Sequence, residues 1–587
     1  MHISVIATDF DGTIAKGDQL APQAADALRR WREPGRSVVL ASGRSFDFLR
    51  DLQKREKVFD LIVAENGAVL YNPRTDEMHL PFGEVPGDLL DMLDKAGVPM
   101  WKGVSIAGTT LPYDDAVWVA SRELGITVNV ETNRNEVMLL PPGASKGAGL
   151  LHLLHSEGFS SRNLLAFGDA ENDLSLLRTA EVKVAVSNAI ENLRAIADHV
   201  TAEPGPVGVA SFIERYLQGG REFDFPVRGA HRFNLGSAGT EAETTLSAYD
   251  LVDRNVLIAG GSGYSKSWLA SRLADGLIDG GYQLLVLDPV GDLSALRRHT
   301  SCLCLGREET PPISLVVQLL AETHLSLVLD LSPMPTREEQ VLYTTGLLRR
   351  VLGVRYHFGK PHWILVDEAQ DLLGAHDAVM RLPLLQDARS PGLCLVTWQP
   401  SRLDSVALDR IDGFVLTRHR LRREVVCLSH QLIKRGVDIT GLAEHLAELG
   451  EGEALTWGLI PTPTRAPASL RFWTGPRVFS RMHRLHRYLE EPAAPPLRFY
   501  FQDPTGQTAP AGNLSELIER MHTLDLNVIA FHFQNGDFSR WIRDMLHDET
   551  LARWIDRLQA VDLPGEELRL ALLEVLEQRH RVLERLI

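Results

Sequence analysis

The chain has 587 residues, 44% hydrophobic and 24% charged, with a formal net charge of −16. That length is too great for one hydrophobic core and points to about three or four domains. The composition excludes a fibrous or disordered chain, and the acidic balance excludes an overall field that draws the protein onto nucleic acid, so no nucleic-acid partner is expected from it. Net charge does not exclude a local basic patch.

The first residues, MHISVIATDFDGT, carry a short apolar run that meets acids at once, with no basic leader and no small-residue cleavage site. They do not read as a signal peptide. No apolar run reaches about 18 residues, so no membrane span is expected, and the expected location is cytoplasmic. Residues 3–8 read as a buried strand, 24–31 as a helix and 37–42 as a second strand. LLAFGD from Leu164 and VKVAV from Val182 continue the alternation. Such alternation predicts an α/β fold with a Rossmann-like parallel sheet. Residues 80–143 break the rhythm and read as an inserted α+β module. The first domain is placed at 1–218, and Gly219–Gly220 reads as a linker.

A second α/β domain is placed at 225–485, with strands expected from Asn255, Gln283, Leu325, His362 and Gly392. The Pro/Ala-rich stretch 490–496 reads as a linker. Residues 497–587 read as a small, mostly helical domain in which Asn513 is a plausible helix cap. Its leucines from Glu566 onward repeat at helical spacing, which suits a partner helix. His532, Asp537 and Arg540 lie close in sequence as a weak candidate ligand site; a packed aromatic core is the plainer reading. The cysteines Cys302, Cys304, Cys394 and Cys427 show no CxxC spacing and read as reduced thiols.

DFDGT places Asp9 and Asp11 two residues apart at the end of an apolar strand, so both carboxylates can point the same way. Converging carboxylates repel unless a cation sits between them, and hard oxygen ligands suit Mg²⁺. One carboxylate can attack phosphorus, and the other can protonate the leaving oxygen and then activate water. Gly12 leaves room for phosphate to approach backbone amides. Ser42 and Gly43, in LASGRS, offer a hydroxyl and an open backbone to a phosphoryl oxygen; Ser42 also reads as a helix cap. Lys146, in PPGASKGAG, offers a positive charge, and GDAEND supplies Asp169 and Asp173. Asn172 is either part of that loop's chemistry or a capping residue. Arg44 faces either substrate or solvent. Trp101 and Trp118 read as cap core, and Arg134 as the module's one evident anion clamp.

DFDGT, Ser42, Lys146 and GDAEND, in this order, resemble the haloacid dehalogenase (HAD) phosphatases. The module at 80–143 resembles the large cap of the Cof-type branch, which includes sugar-phosphate phosphatases. The resemblance implies that Asp9 is the nucleophile. It implies that Asp11 is the acid/base and gives its carbonyl to Mg²⁺, and that Ser42 and Lys146 bind the phosphoryl group. Asp169 ligates Mg²⁺, and Asp173 supports the metal through water or by orienting Lys146. A small phosphorylated metabolite, a sugar phosphate first, is the implied substrate.

NVLIAGGSGYSKSWLASRL reads as strand, glycine-rich turn and helix. Gly260, Lys266 and Ser267 fit a phosphate loop. Gly263 falls inside the turn. Ser265 takes the place of the last glycine and adds a Cβ where backbone must approach phosphate. Lys266 reaches β- and γ-phosphates in such a loop, and Ser267 holds Mg²⁺. HWILVDEAQ ends an apolar strand in Asp367, suited to the magnesium shell, and Glu368, suited to polarising water. Asp288 and Asp292 end another strand; Gln399, on a fourth, is placed to sense a γ-phosphate. These strand ends resemble HerA/FtsK-like P-loop ATPases. The resemblance implies ATP, a homo-oligomer such as a ring hexamer, and a trans-acting arginine among Arg389, Arg402, Arg410 and Arg418. An ATP-binding switch, a scaffold and a DNA-handling ATPase remain the alternatives to a phosphatase coupled to an ATPase.

Overall fold

A computed structural model describes residues 3–32, 35–133, 135–219, 231–238, 242–261, 266–291, 293–307, 309–374, 392–450, 452–459, 470–473, 498–502, 510–543, 548–559 and 563–584. The chain forms two compact units. One holds Met1–His231 with residues 321–323 and 353–360, and the other holds the remainder.

In the first unit, β1 (Val5–Thr8) leads to a small hairpin of β2 (Ala15–Lys16) and β3 (Gln19–Leu20). Then come α1 (Pro22–Trp31), β4 (Ser37–Ala41), α2 (Phe46–Glu56), β5 (Leu61–Ala64), β6 (Val69–Asn72) and β7 (Glu77–His79). The cap comprises α3 (Gly87–Lys95), β8 (Trp101–Lys102), β9 (Ala107–Thr110), α4 (Asp114–Leu124), β10 (Asn129–Asn133) and β11 (Glu136–Leu140). The chain returns through α5 (Lys146–Ser156), β12 (Leu164–Gly168), α6 (Asp173–Thr179), β13 (Val182–Ala185), α7 (Glu191–Ile196), β14 (His199–Val200) and α8 (Gly205–Gly219).

The main sheet has eight strands in the order β14-β13-β12-β1-β4-β5-β6-β7. It is parallel from β14 to β5, and β6 and β7 run antiparallel. Strands buried on both faces need unbroken apolar runs rather than alternation, and VIAT, SVVLA, LIVA and LLAFG are buried throughout. β1 lies between β12 and β4. Neighbouring strands are about 4.8 Å apart, so the residues that end them, Asp9, Asp169 and Ser42, come side by side. A parallel sheet collects its functional groups at these carboxyl ends.

The cap is a four-stranded antiparallel sheet, β10-β11-β9-β8. Period-two alternation gives it two faces. On one, Val130 and Leu139 pack with Leu89, Leu93 and Val117 of the cap's own helices. On the other, Met138 and Leu140 pack with Ala68 and Ala144 of the domain that carries the eight-stranded sheet. Thus one sheet face builds the cap and the other meets the core domain.

Among the described residues, the second unit carries an eleven-stranded sheet. Its parallel centre holds Val256–Ala259, Leu284–Asp288, Ser326–Asp330, Trp363–Val366 and Leu393–Thr397, matching the five strands expected from sequence. A helix, Lys266–Asp279, follows the first of them. Helices from Leu514 onward enclose a separate core around Leu517, Ile529, Phe538, Ile555 and Leu572. Asn513 caps the first of these, its Oδ1 accepting from Glu516 N at 2.7 Å. No helix among the described residues is long and apolar enough to cross a membrane.

Candidate active site

β1 delivers Asp9, and Asp9 N donates to Phe167 O at 3.1 Å, locking the two strand ends together. Lys146 is the first residue of α5. Ser145 caps that helix by accepting from Ala148 N at 3.2 Å, so the lysine stem leaves the helix at a fixed angle. The ammonium is almost fully buried and lies 2.6 Å from both Asp9 Oδ1 and Asp173 Oδ1. The other Asp173 oxygen accepts from Asp169 N at 2.9 Å and Ala170 N at 3.0 Å. Asp173 therefore orients both the lysine and the loop that carries Asp169. Burial alone would weaken the lysine's hold on its proton, but Asp173 and Asp9 outweigh it and keep Lys146 charged beyond the usual lysine range.

Asp9, Asp169 and Asp173 each place a carboxylate oxygen within 4.8 Å of the others. Burial first, then Asp173, pushes the Asp9 carboxyl well above the usual carboxylate range, despite Lys146. Burial and Asp173 push Asp169 up to about 6. One ammonium does not balance three carboxylates, so this donor set fits a hard divalent cation. Asp169 is held at both oxygens, Oδ1 accepting from Thr13 Oγ1 at 3.2 Å and Oδ2 from Asn188 Nδ2 at 3.4 Å. Gly12 has φ +75°, and a Cβ there would lie 2.2 Å from Asp169 Oδ2, so only glycine lets the DFDGT turn sit against this acid.

Asp11 lies at the edge of the site, half-exposed, and Arg44 grips it bidentately at 2.7 and 2.9 Å. Arg44 also reaches Asp18 at 2.9 Å. The arginine left open by sequence is thus turned to an acid of the site. Ser42 is buried, and its Oγ accepts from Arg44 N at 3.2 Å.

Glu65, Asn66, Glu131 and Asn188 escaped sequence reasoning. Glu65 and Asn66 follow β5 with φ of 52° and 51°, an uncommon conformation for residues other than glycine. Glu65 is fully buried, and its two oxygens accept from four backbone amides, Phe46 N, Val104 N, Ser105 N and Ile106 N, at 2.9–3.2 Å. One carboxylate therefore ties the loop after Ser42 to the cap. Asn66 N donates to Ser42 O at 3.1 Å. Its side chain accepts from Asn172 Nδ2 at 3.2 Å and donates to Glu131 Oε2 of the cap at 2.9 Å. Asn172, read as either loop or cap, makes no side-chain capping bond and belongs to this bridge. The available signal for Glu65 and Asn66 was an acid and an Asn-Gly pair directly after LIVA. Arg134, the expected anion clamp, lies outside the described residues.

In the second unit Gly260 ends its strand where a Cβ would lie 1.8 Å from Thr417 Oγ1. Gly263 and Ser265 lie outside the described residues, as do Asp292 and Arg389. Lys266 begins the following helix and donates to Gly261 O at 3.0 Å; Ser267 follows it on the same first turn. Asp367 is buried, and burial, Glu368 and Asp288 together push its carboxyl well up, with Lys266 opposing them. Burial and Asp330 push Asp288 up to about 7, against three backbone amides that it accepts. Glu368 has φ 42° and accepts from Gln370 at 2.6 Å; Gln370 in turn accepts from Thr397 Oγ1 at 2.6 Å. Gln399 donates its backbone N–H to that same hydroxyl at 3.0 Å and accepts from Arg402 at 3.0 Å. Arg418 donates to Leu449 O. In the C-terminal helices, His532 Nδ1 meets Asp537 at 2.8 Å, and its Nε2 accepts from Gln502 N at 2.9 Å. Arg540 lies 3.2 Å from Asp537. The His532 ring packs against Phe499, Phe501, Phe531 and Phe538, so this histidine is part of the aromatic core.

Comparison with known proteins returns two families. Residues 6–81 and 120–213 match the haloacid dehalogenase-like hydrolases, and residues 233–350 match the central domain of helicase HerA. "Phosphoglycolate phosphatase 2" of Saccharolobus solfataricus is 30% identical over 227 residues, 38% of this chain and 96% of that protein. "Phosphoglycolate phosphatase" of Methanothermobacter thermautotrophicus is 32% identical over 221 residues, 36% of this chain and 98% of that protein. Among solved structures, a haloacid dehalogenase-like hydrolase from Bacteroides thetaiotaomicron is 23% identical and covers 36% of this chain and 98% of its own, with a TM-score of 0.32.

Proposed function

From the premise that this chain belongs, through its first 213 residues, to the haloacid dehalogenase-like hydrolases, we propose that it cleaves a phosphomonoester of a small metabolite through an aspartyl-phosphate on Asp9. The observation that carries the reading is Lys146, buried between Asp9 and Asp173 at 2.6 Å from each. Asp9 attacks phosphorus as the ester bond to the leaving oxygen breaks, and Asp11 protonates that oxygen. Asp11 then takes a proton from water, whose oxygen attacks the acyl-phosphate, releasing phosphate and restoring Asp9. Ser42, the open backbone at Gly43 and Lys146 bind the phosphoryl oxygens and balance their growing charge. Arg44 holds Asp11 until substrate arrives. Asp9, the Asp11 carbonyl, Asp169 and Asp173 are the groups that would hold Mg²⁺, which supplies charge neutralisation between phosphate and carboxylates. The relatives' names include phosphoglycolate and a phosphoribitylamino-uracil as substrates. A sugar or polyol phosphate is the class proposed for this chain.

The same reading makes residues 225–485 an ATP-binding unit, with Lys266, Ser267 and Asp367 on the nucleotide and its magnesium, Glu368 on the attacking water and Gln399 beside the γ-phosphate. It regulates or assembles the hydrolase of residues 1–218, while residues 497–587 form a separate helical domain. What supports this is the match to the HerA central domain together with Lys266, which starts the helix after the strand Val256–Ala259, and the buried Asp367, which follows the strand Trp363–Val366; both strands pair in parallel with Leu393–Thr397 between them. One experiment tests both units: phosphate release from phosphorylated metabolites and from ATP, with Mg²⁺ or chelator, by wild type, Asp9→Asn and Lys266→Ala. Mg²⁺-dependent cleavage of a metabolite phosphate is expected, lost in Asp9→Asn alone. Hydrolysis of ATP alone, lost only in Lys266→Ala, refutes the phosphatase reading and favours a nucleotide-driven switch.

A further inference from the structure

Glu131 sits on the cap strand β10 opposite Met138. Met138 packs toward the hydrolase core, and cross-strand partners share a face. The carboxylate therefore leaves the cap on its core-facing side. Its one hydrogen-bond partner among the described residues is Asn66 Nδ2, at 2.9 Å on Oε2. Asn66 lies against the phosphoryl-binding loop, since a Cβ at Gly43 would come 2.8 Å from Asn66 Oδ1. Glu131 is thus one side chain away from Ser42–Gly43. Burial raises its carboxyl from the ordinary glutamate value, with Lys146 opposing and Asp173 adding to the shift. No described cation forms an ion pair with it. An acid taken largely out of water with spare acceptor positions suits ligand donors.

We propose that Glu131 selects the leaving group, its carboxylate accepting hydrogen bonds from the hydroxyls of a polyol or sugar phosphate and repelling a leaving group that bears its own carboxylate. The proposal rests on reading residues 1–218 as a phosphomonoester hydrolase, and it separates this chain's substrate from the phosphoglycolate named for its relatives. A hydroxyl bonded to a charged acceptor is held about twice as strongly as one bonded to a neutral acceptor. A like-charge contact acts in the opposite sense.

The test is calorimetric binding of glycerol 3-phosphate and 2-phosphoglycolate, with Mg²⁺, to the full chain carrying Asp9→Asn, with and without Glu131→Gln. The Asp9→Asn protein is expected to prefer glycerol 3-phosphate. Glu131→Gln is expected to weaken that ligand and tighten 2-phosphoglycolate, moving the ratio of affinities by about tenfold or more. Glu131→Asp keeps the charge and shortens the reach. It should go on rejecting 2-phosphoglycolate while binding glycerol 3-phosphate less well, and it serves if the glutamine variant does not fold. A preference for 2-phosphoglycolate at the outset, or equal shifts for both ligands, overturns the proposal and leaves Glu131 a latch for Asn66. Turnover by the chain with Asp9 intact is measured alongside. If the ratio moves but no phosphate ester is cleaved, the hydrolase reading falls and the selecting role stands. If esters are cleaved and the ratio stays fixed, the reverse holds.

Discussion

Replacing Lys146 with methionine keeps a long, unbranched side chain but removes the one cation buried between two carboxylates. Removing one partner of a buried ion pair typically costs about 3–5 kcal/mol. Here a lower-cost escape sets the ceiling, because a stranded carboxylate can take up a proton. Asp9, already pushed up by burial and by Asp173, gives way first. Asp173 keeps two backbone amides as partners, at 2.9 and 3.0 Å, when the lysine is gone. Protonating a carboxylate with an ordinary value near 3.9 costs about 1.4 kcal/mol per pH unit above it, hence about 4 kcal/mol at pH 7 and about 1.5 at pH 5. The variant's stranded carboxyl has a raised folded-state value, so its penalty is absent below about pH 4 and grows as pH rises. In metal-free buffer Lys146→Met should therefore lose at most about 4 kcal/mol at pH 7, because Asp9 already carries part of this penalty in the wild type, and the deficit should shrink by more than half at pH 5. Hydrogen exchange of peptides spanning β1 and β12 reads this unit without interference from the rest of the chain. A loss under about 1 kcal/mol at pH 7, or a deficit independent of pH, refutes the argument.

Glu65→Gln replaces one carboxylate oxygen with an amide that faces two backbone N–H donors. Two of the four amides now satisfied are orphaned, at about 1–3 kcal/mol each; faster exchange at residues 103–106 and a lower kcat/KM are expected, and unchanged exchange there refutes the latch. Metal affinity should depend on pH, because a ligand carboxyl must first lose its proton. Asp169, pushed up to about 6 by burial and Asp173, holds the apparent Mg²⁺ affinity level above that pH. Below it the affinity should fall by about tenfold per unit; calorimetric Mg²⁺ titration of Asp9→Asn at pH 7 and 5 checks this, and equal affinities contradict it.

The apolar runs VIAT, SVVLA, LIVA and LLAFG announce a parallel sheet because strands covered on both faces have no polar alternation. Each run ends in a polar residue, and a parallel sheet gathers those ends. So Asp9, Ser42 and Asp169 were legible one strand at a time, as were Asp288, Asp367 and Gln399 in the second unit. Lys146 and Asp173 were legible as helix-starting residues in motifs, but the 2.6 Å contacts that make one ammonium serve two acids were not. Arg44 had two open readings, and only the folded chain turned it to Asp11.

Glu65, Asn66 and Glu131 belong wholly to tertiary structure. Glu65 looks like any acid after a strand until the cap brings Val104, Ser105 and Ile106 within reach of it. Alternation along β10 sets Glu131 apart from Val130, yet it cannot say which face meets the hydrolase core. That choice was made by packing, when Val130 and Leu139 buried against the cap's helices and left Met138 and Glu131 to face Ala68, Ala144 and Asn66. Local sequence carries period and end-residues, which are properties of one strand. Which side chains share a pocket depends on the docking of two sheets, and no single stretch of chain encodes it.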